Sequence, residues 1–150
     1  MNMDNPVTEN EIVCAVSLMG AVLPAMDRKK RIMIIDDEVG ITRLLKLNLE
    51  QTNQFEVHTE NDSTQALAGA EEFMPDLVLM DVMMPGIDGG ELSAKMQAHP
   101  KLKAVPIIFL TAAATKAEVQ RNGGKIGGLP FLAKPVRLED VLNKIHEHLR

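Results

Sequence analysis

The sequence predicts an α/β fold, a doubly wound five-stranded parallel sheet with helices on both faces. Two observations predict it. Short apolar runs alternate with stretches of helical period from residue 31 onward, and several of those runs are apolar on every residue. A strand buried on both faces reads that way, and such strands belong to parallel sheets covered by helices. A third observation points to the site: the runs stop at acids, a threonine and a lysine.

Arg31-Ile-Met-Ile-Ile35 is the first strand and stops at Asp36-Asp37-Glu38. Ile41, Leu44, Leu45, Asn48 and Leu49 form a largely apolar helical stripe. Phe55-Glu-Val-His-Thr59 alternates as a half-buried strand. Asp62-Ser63 is placed to cap a helix bearing Ala66, Leu67, Ala70 and Phe73. Asp76-Leu-Val-Leu-Met80 is a buried strand that ends in Asp81. A turn-rich loop, Met84-Pro-Gly-Ile-Asp-Gly89, leads to a helix through Leu92 and Met96. Val105-Pro-Ile-Ile-Phe-Leu110 ends at Thr111, and Thr115 with Glu118 has capping-box spacing for a fourth helix stopped by Gly123-Gly124. Leu129-Pro-Phe-Leu-Ala133 is the fifth strand, before Lys134-Pro135. Leu138, Val141, Leu142, Ile145 and Leu149 give the closing amphipathic helix.

The remaining thirty residues, 1–30, read as an N-terminal extension, a short helix or disordered. Their apolar stretch from Ile12 to Ala25 is too short to span a bilayer, and no Lys or Arg precedes it as a secretory signal requires. The 150 residues carry a net charge of −5, four Phe, no Trp and no Tyr, which argues against direct nucleic-acid binding. Cys14 stands alone, which excludes an intrachain disulfide or a Cys-rich zinc site. Of the ten Met, Met80, Met83 and Met84 adjoin Asp81 and the others are dispersed, and core packing is the expectation. His146 and His148 do not share a helix face, and nothing in the sequence gives His58 a phosphoryl-donor role.

In open parallel sheets, sites form beyond the carboxyl ends of strands. Here those ends carry Asp36, Asp37, Asp81, Thr111 and Lys134. Any one of them alone is an ordinary cap or turn residue; together they suit a phosphoryl group on a carboxylate. Clustered acids call for a hard cation such as Mg²⁺, and Lys134 adds a second positive charge.

Four motifs carry a resemblance: Ile34-Ile-Asp-Asp-Glu38, Leu79-Met-Asp-Val-Met-Met-Pro-Gly-Ile-Asp-Gly89, Phe109-Leu-Thr-Ala112 and Phe131-Leu-Ala-Lys-Pro-Val136. In this order the chain from Arg31 to Arg150 resembles the receiver domain of two-component response regulators. That resemblance implies a flavodoxin-like strand order 2-1-3-4-5 and a cytoplasmic signalling protein. It implies that Asp81 accepts a phosphoryl group from a histidine kinase or a histidine phosphotransfer protein. Asp36, Asp37, Asp81 and the backbone carbonyl of Met83 would hold Mg²⁺. Thr111 would follow the phosphoryl group, Lys134 would pair with it, and the bond before Pro135 would be cis. Phe131 occupies the position of the family's aromatic switch. Its inward burial would move the face made by the fourth helix, fifth strand and fifth helix, which is also the candidate dimer surface.

Because the resemblance runs to the last residue, the expectation is a stand-alone receiver. It would catalyse only its own phosphorylation and dephosphorylation and would signal by binding a downstream effector protein, without membrane association. The alternative is a phosphorelay shuttle. An aspartyl-phosphate phosphatase would want two acids spaced two apart after the first strand, and a nucleotide site would want Gly, Ser or Thr amides there. The acids at 36 and 37 satisfy neither. Two departures stand out. Asn122-Gly-Gly-Lys-Ile-Gly-Gly-Leu-Pro130 carries four glycines before the fifth strand, which bears on the signalling face. Met83 and Ala113, at positions that tune phosphoryl lifetime in the family, have no polar group to guide a hydrolytic water, so a moderately to long-lived phosphoryl state is expected.

Overall fold

The computed structural model describes residues 28–112, 125–126 and 128–149. The element order is β1 (Lys30–Ile35), α1 (Val39–Gln51), β2 (Phe55–Glu60), α2 (Ala66–Phe73), β3 (Leu77–Asp81), α3 (Gly89–Ala98), β4 (Ile107–Thr111), β5 (Lys125–Ile126), β6 (Leu129–Ala133) and α4 (Leu138–His148). The five long strands are parallel and lie in the order β2-β1-β3-β4-β6, the doubly wound arrangement that the alternating pattern predicts.

The sheet divides the interior into two cores, because successive residues of a strand face opposite sides. Met33, Ile35, Val78, Met80 and Phe109 meet Ala66 and Ala70 of α2 and Leu92 and Met96 of α3. Ile32, Ile34, Leu79, Ile108 and Leu110 meet Leu45 and Leu49 of α1 and Val141 and Ile145 of α4. Burial on both faces is why β1, β3 and β4 read as unbroken apolar runs, while edge strand β2 alternates Phe55 and Val57 inward with Glu56 outward.

Three details differ from the sequence expectation. Leu44, expected on the apolar stripe of α1, is 59% exposed, because Leu45 and Leu49 already fill the contact with the sheet. Asp62 caps a 3₁₀ turn, Ser63–Gln65, rather than the α-helix that follows. The glycine-rich stretch contributes a sixth strand: β5 pairs antiparallel with β6, and Gly128 makes the return at φ 83°, a conformation that favours glycine. The fourth helix expected from Thr115, Ala113, and the extension 1–27 lie outside the described residues.

Chain order reverses at β1: the chain leaves it for β2 on one side and then crosses over from β2 to β3 on the other. The carboxyl ends of β1 and β3 are therefore adjacent, which opens a crevice there.

Candidate functional site

β1, β3, β4 and the last long strand each bring a residue at or just beyond their carboxyl end to this crevice. Asp36 follows β1 directly and is wholly buried. Its N–H donates to the Glu60 carbonyl at 3.1 Å, and its Oδ1 accepts the Glu38 N–H at 3.0 Å, turning the chain into α1. Asp37 beside it is exposed. Asp81 closes β3, buried, with Oδ1 accepting the Met83 N–H at 3.4 Å. Thr111 closes β4, also buried, and its carbonyl accepts the Lys134 N–H at 2.8 Å.

Lys134 follows β6, and the Lys134–Pro135 bond is cis. Its ammonium lies 2.7 Å from Asp36 Oδ2, 3.5 Å from Asp81 Oδ2 and 3.6 Å from Glu38 Oε1. One carboxylate oxygen from each of Asp36, Asp37 and Asp81 lies within 4.8 Å of the other two. Three carboxylates that close, supplied by two loops, match the oxygen donor set of a hard divalent cation.

Burial is the main reason the Asp81 carboxyl titrates above its ordinary value. The negative charge of Asp36 adds to it, while Lys134 opposes it in part. Desolvation works against the Lys134 ammonium, yet the hydrogen bond and charge of Asp36, with Asp81 and Glu38, outweigh it and raise its pKa. Lys134 is thus a fixed positive charge, and Asp81 a carboxylate made more basic than usual.

The other expected residues sit close by. Met83 is 70% exposed, two residues beyond Asp81. Phe131 is buried, in register with Phe109 and in the same core as Met84. Sequence reading missed three residues that shape the crevice. Asn61 and Ser63 brace its two loops, and Gly89 lets α3 approach β3. A Cβ at Gly89 would stand 2.5 Å from the Asp81 carbonyl oxygen, and the Gly89 N–H donates to the Val82 carbonyl at 2.7 Å. The acidic run did include Glu38, but its contact with Lys134 spans most of the chain and leaves no local signal.

Residues 32–146 match the family described as "Response regulator receiver domain". The chain belongs to that family. This receiver is 36% identical over 112 residues to the response regulator PleD of Caulobacter vibrioides, covering 75% of this chain and 24% of PleD. It is 32% identical over 120 residues to the phosphate regulon transcriptional regulatory protein PhoB of Rhizobium meliloti, covering 80% of this chain and 52% of PhoB. The receiver thus spans about a quarter to a half of the length of these curated relatives. Among solved structures, the chemotaxis protein CheY4 of Vibrio cholerae superposes with a TM-score of 0.70 at 27% identity, covering 81% of this chain and 100% of CheY4. A CheY-like receiver domain protein from Methanospirillum hungatei gives 0.66 at 31% identity, covering 81% and 94%. Membership places the chain in two-component signalling, whose receivers interact with histidine kinases and effectors. Among the described residues, no helix is long and apolar enough to cross a membrane.

Proposed function

We propose that this receiver accepts a phosphoryl group on Asp81 from a histidine kinase or histidine phosphotransfer protein and then binds a downstream effector protein. The observation that carries the reading is the convergence of Asp36, Asp37, Asp81 and Lys134 at the carboxyl edge of one sheet. Mg²⁺ would be held by Asp36, Asp37, Asp81 and the Met83 carbonyl, where it would offset carboxylate repulsion and neutralise phosphoryl oxygens.

The residues of the chain do the rest. An Asp81 carboxylate oxygen bonds to phosphorus while the bond from phosphorus to the donor nitrogen breaks and that nitrogen keeps the electron pair. Lys134, held by Asp36, faces the negative charge that arrives on Asp81. The Thr111 hydroxyl donates to a phosphoryl oxygen, and its shift, coupled to the buried ring of Phe131, alters the signalling face. Apolar Met83 beside Asp81 orients no water, so the phosphoryl group persists for minutes or longer. The similarity to the chemotaxis protein CheY4 supports a signalling role for this receiver.

Acetyl phosphate with Mg²⁺ should label the protein, read as a phosphate-affinity gel shift, and Asp81→Asn should abolish the label. Label that survives Asp81→Asn refutes the assignment. Protein loaded with beryllofluoride should capture a partner that Asp81→Asn does not. Onward transfer of the label to a histidine of that partner would instead identify a relay shuttle.

A further inference from the structure

We propose that Asn61 and Ser63, on the connection between β2 and α2, are positioning residues that set the spacing of the two acid-bearing loops and thereby the cation affinity. This rests on the reading above, in which Asp37 on one loop and Asp81 with Met83 on the other share one Mg²⁺.

The sheet fixes Asp36 and Asp81 at the ends of β1 and β3, but the residues beyond them need anchors of their own. Asn61 Nδ2 donates to the Asp36 carbonyl at 2.8 Å and to Thr42 Oγ1 at 2.9 Å. Thr42 Oγ1 in turn donates to the Val39 carbonyl at 3.1 Å. One side-chain amide therefore ties the turn that carries Asp37 to the start of α1. Two residues on, Ser63 Oγ donates to the Pro85 carbonyl at 2.6 Å and accepts the Ile87 N–H at 3.0 Å. The loop after Asp81 folds around this hydroxyl: Gly86 has φ 89°, and a Cβ there would lie 3.0 Å from Ser63 Oγ. Ser63 and Thr42 are buried, so water does not readily replace these bonds.

Asp62, between the two, adds local hydrogen bonds on the exposed side of the connector. Its Oδ1 accepts the Thr64 N–H at 3.0 Å and the Thr64 hydroxyl at 2.6 Å, and its own N–H donates to Glu60 Oε2 at 3.2 Å. Both loops are thus fastened to one three-residue strut that runs outside the sheet. Mg²⁺ tolerates little departure from octahedral geometry, so the spacing of ligands on two loops governs its affinity.

The test is Mg²⁺ titration by calorimetry of the full chain, paired with acetyl phosphate labelling across Mg²⁺ concentrations. Ser63→Ala and Asn61→Ala should each raise the Mg²⁺ Kd about tenfold. Labelling at saturating Mg²⁺ should stay within about twofold of wild type, and Ser63→Thr should restore most of the affinity. Loss of folded protein would instead lower the labelling plateau and leave the half-saturating Mg²⁺ concentration in place. An unchanged Kd in both variants, or a threonine that restores nothing, overturns the proposal. If Ser63→Ala does not fold, Asn61→Ala on the other loop decides the matter. The underlying reading fails separately, if wild type binds no Mg²⁺ or Asp37→Asn binds it equally well.

Discussion

Replacing Lys134 by Met keeps the length of the side chain and removes its charge. The ammonium sits 2.7 Å from the wholly buried Asp36 and 3.5 Å from Asp81, and its own side chain is only 9% exposed. Breaking a buried ion pair from one side costs about 3–5 kcal/mol. Proton uptake sets a ceiling: holding a carboxylate of ordinary pKa protonated at pH 7 costs about 4 kcal/mol, at about 1.4 kcal/mol per pH unit. Without divalent cations, Lys134→Met should therefore lose about 3–4 kcal/mol, or roughly 12–16 °C in Tm for a domain of this size. The glutamate partner, Glu38, is exposed and adds little.

The sign of the pH dependence follows. In the variant the Asp81 carboxyl, already raised by burial and by Asp36, loses the opposing charge of Lys134, so its folded state holds a proton more tightly than the unfolded chain does and stability falls as pH rises. The deficit should shrink to about 1.5 kcal/mol at pH 5. Urea unfolding followed by circular dichroism in EDTA at pH 5, 6 and 7 measures it. A deficit below about 1 kcal/mol at pH 7, or one that does not change with pH, would show that Lys134 does not hold the buried carboxylates ionised.

Three further outcomes are expected. Asp81 titrates above 3.8 through burial and then Asp36, so its contribution to stability is complete below that pH and is lost as pH rises through the folded value. Asp81→Asn should accordingly melt higher than wild type in EDTA at pH 7, whereas Mg²⁺ at a hundredfold excess over its Kd should stabilise wild type by about 2.7 kcal/mol; calorimetric scans with and without Mg²⁺ check both. Gly89→Ala places a methyl group 2.5 Å from the Asp81 carbonyl oxygen and should destabilise the fold by about 1–3 kcal/mol in denaturant titrations, with slower labelling of Asp81. Met83→Asn gives the exposed position beside Asp81 a group that orients water, so the phosphoryl half-life should fall at least about tenfold, as followed by decay of the gel-shifted band.

The parts of the molecule legible in sequence are those where one residue type answers to one local demand. Ile32 to Ile35 and Leu77 to Met80 announce their strands because both faces are covered. The acids at 36, 37 and 81 and the lysine at 134 announce the crevice because they interrupt or follow such runs. Leu44 misleads because helical period does not say where a contact with the sheet is already full. β5 is two residues long, too short to show any period. Asn61 and Ser63 act on backbone groups 25 and 22 residues away, and their own neighbours suggest only a cap.

The short antiparallel β5 also protects the border of the sheet. An outer strand offers unpaired amides and carbonyls to any extended chain, including a second copy of itself. Here Lys125 and Ile126 already occupy the outer side of Leu129 and Pro130, and Pro130 has no amide hydrogen to offer. Strand addition and amyloid-like stacking are therefore discouraged on this border.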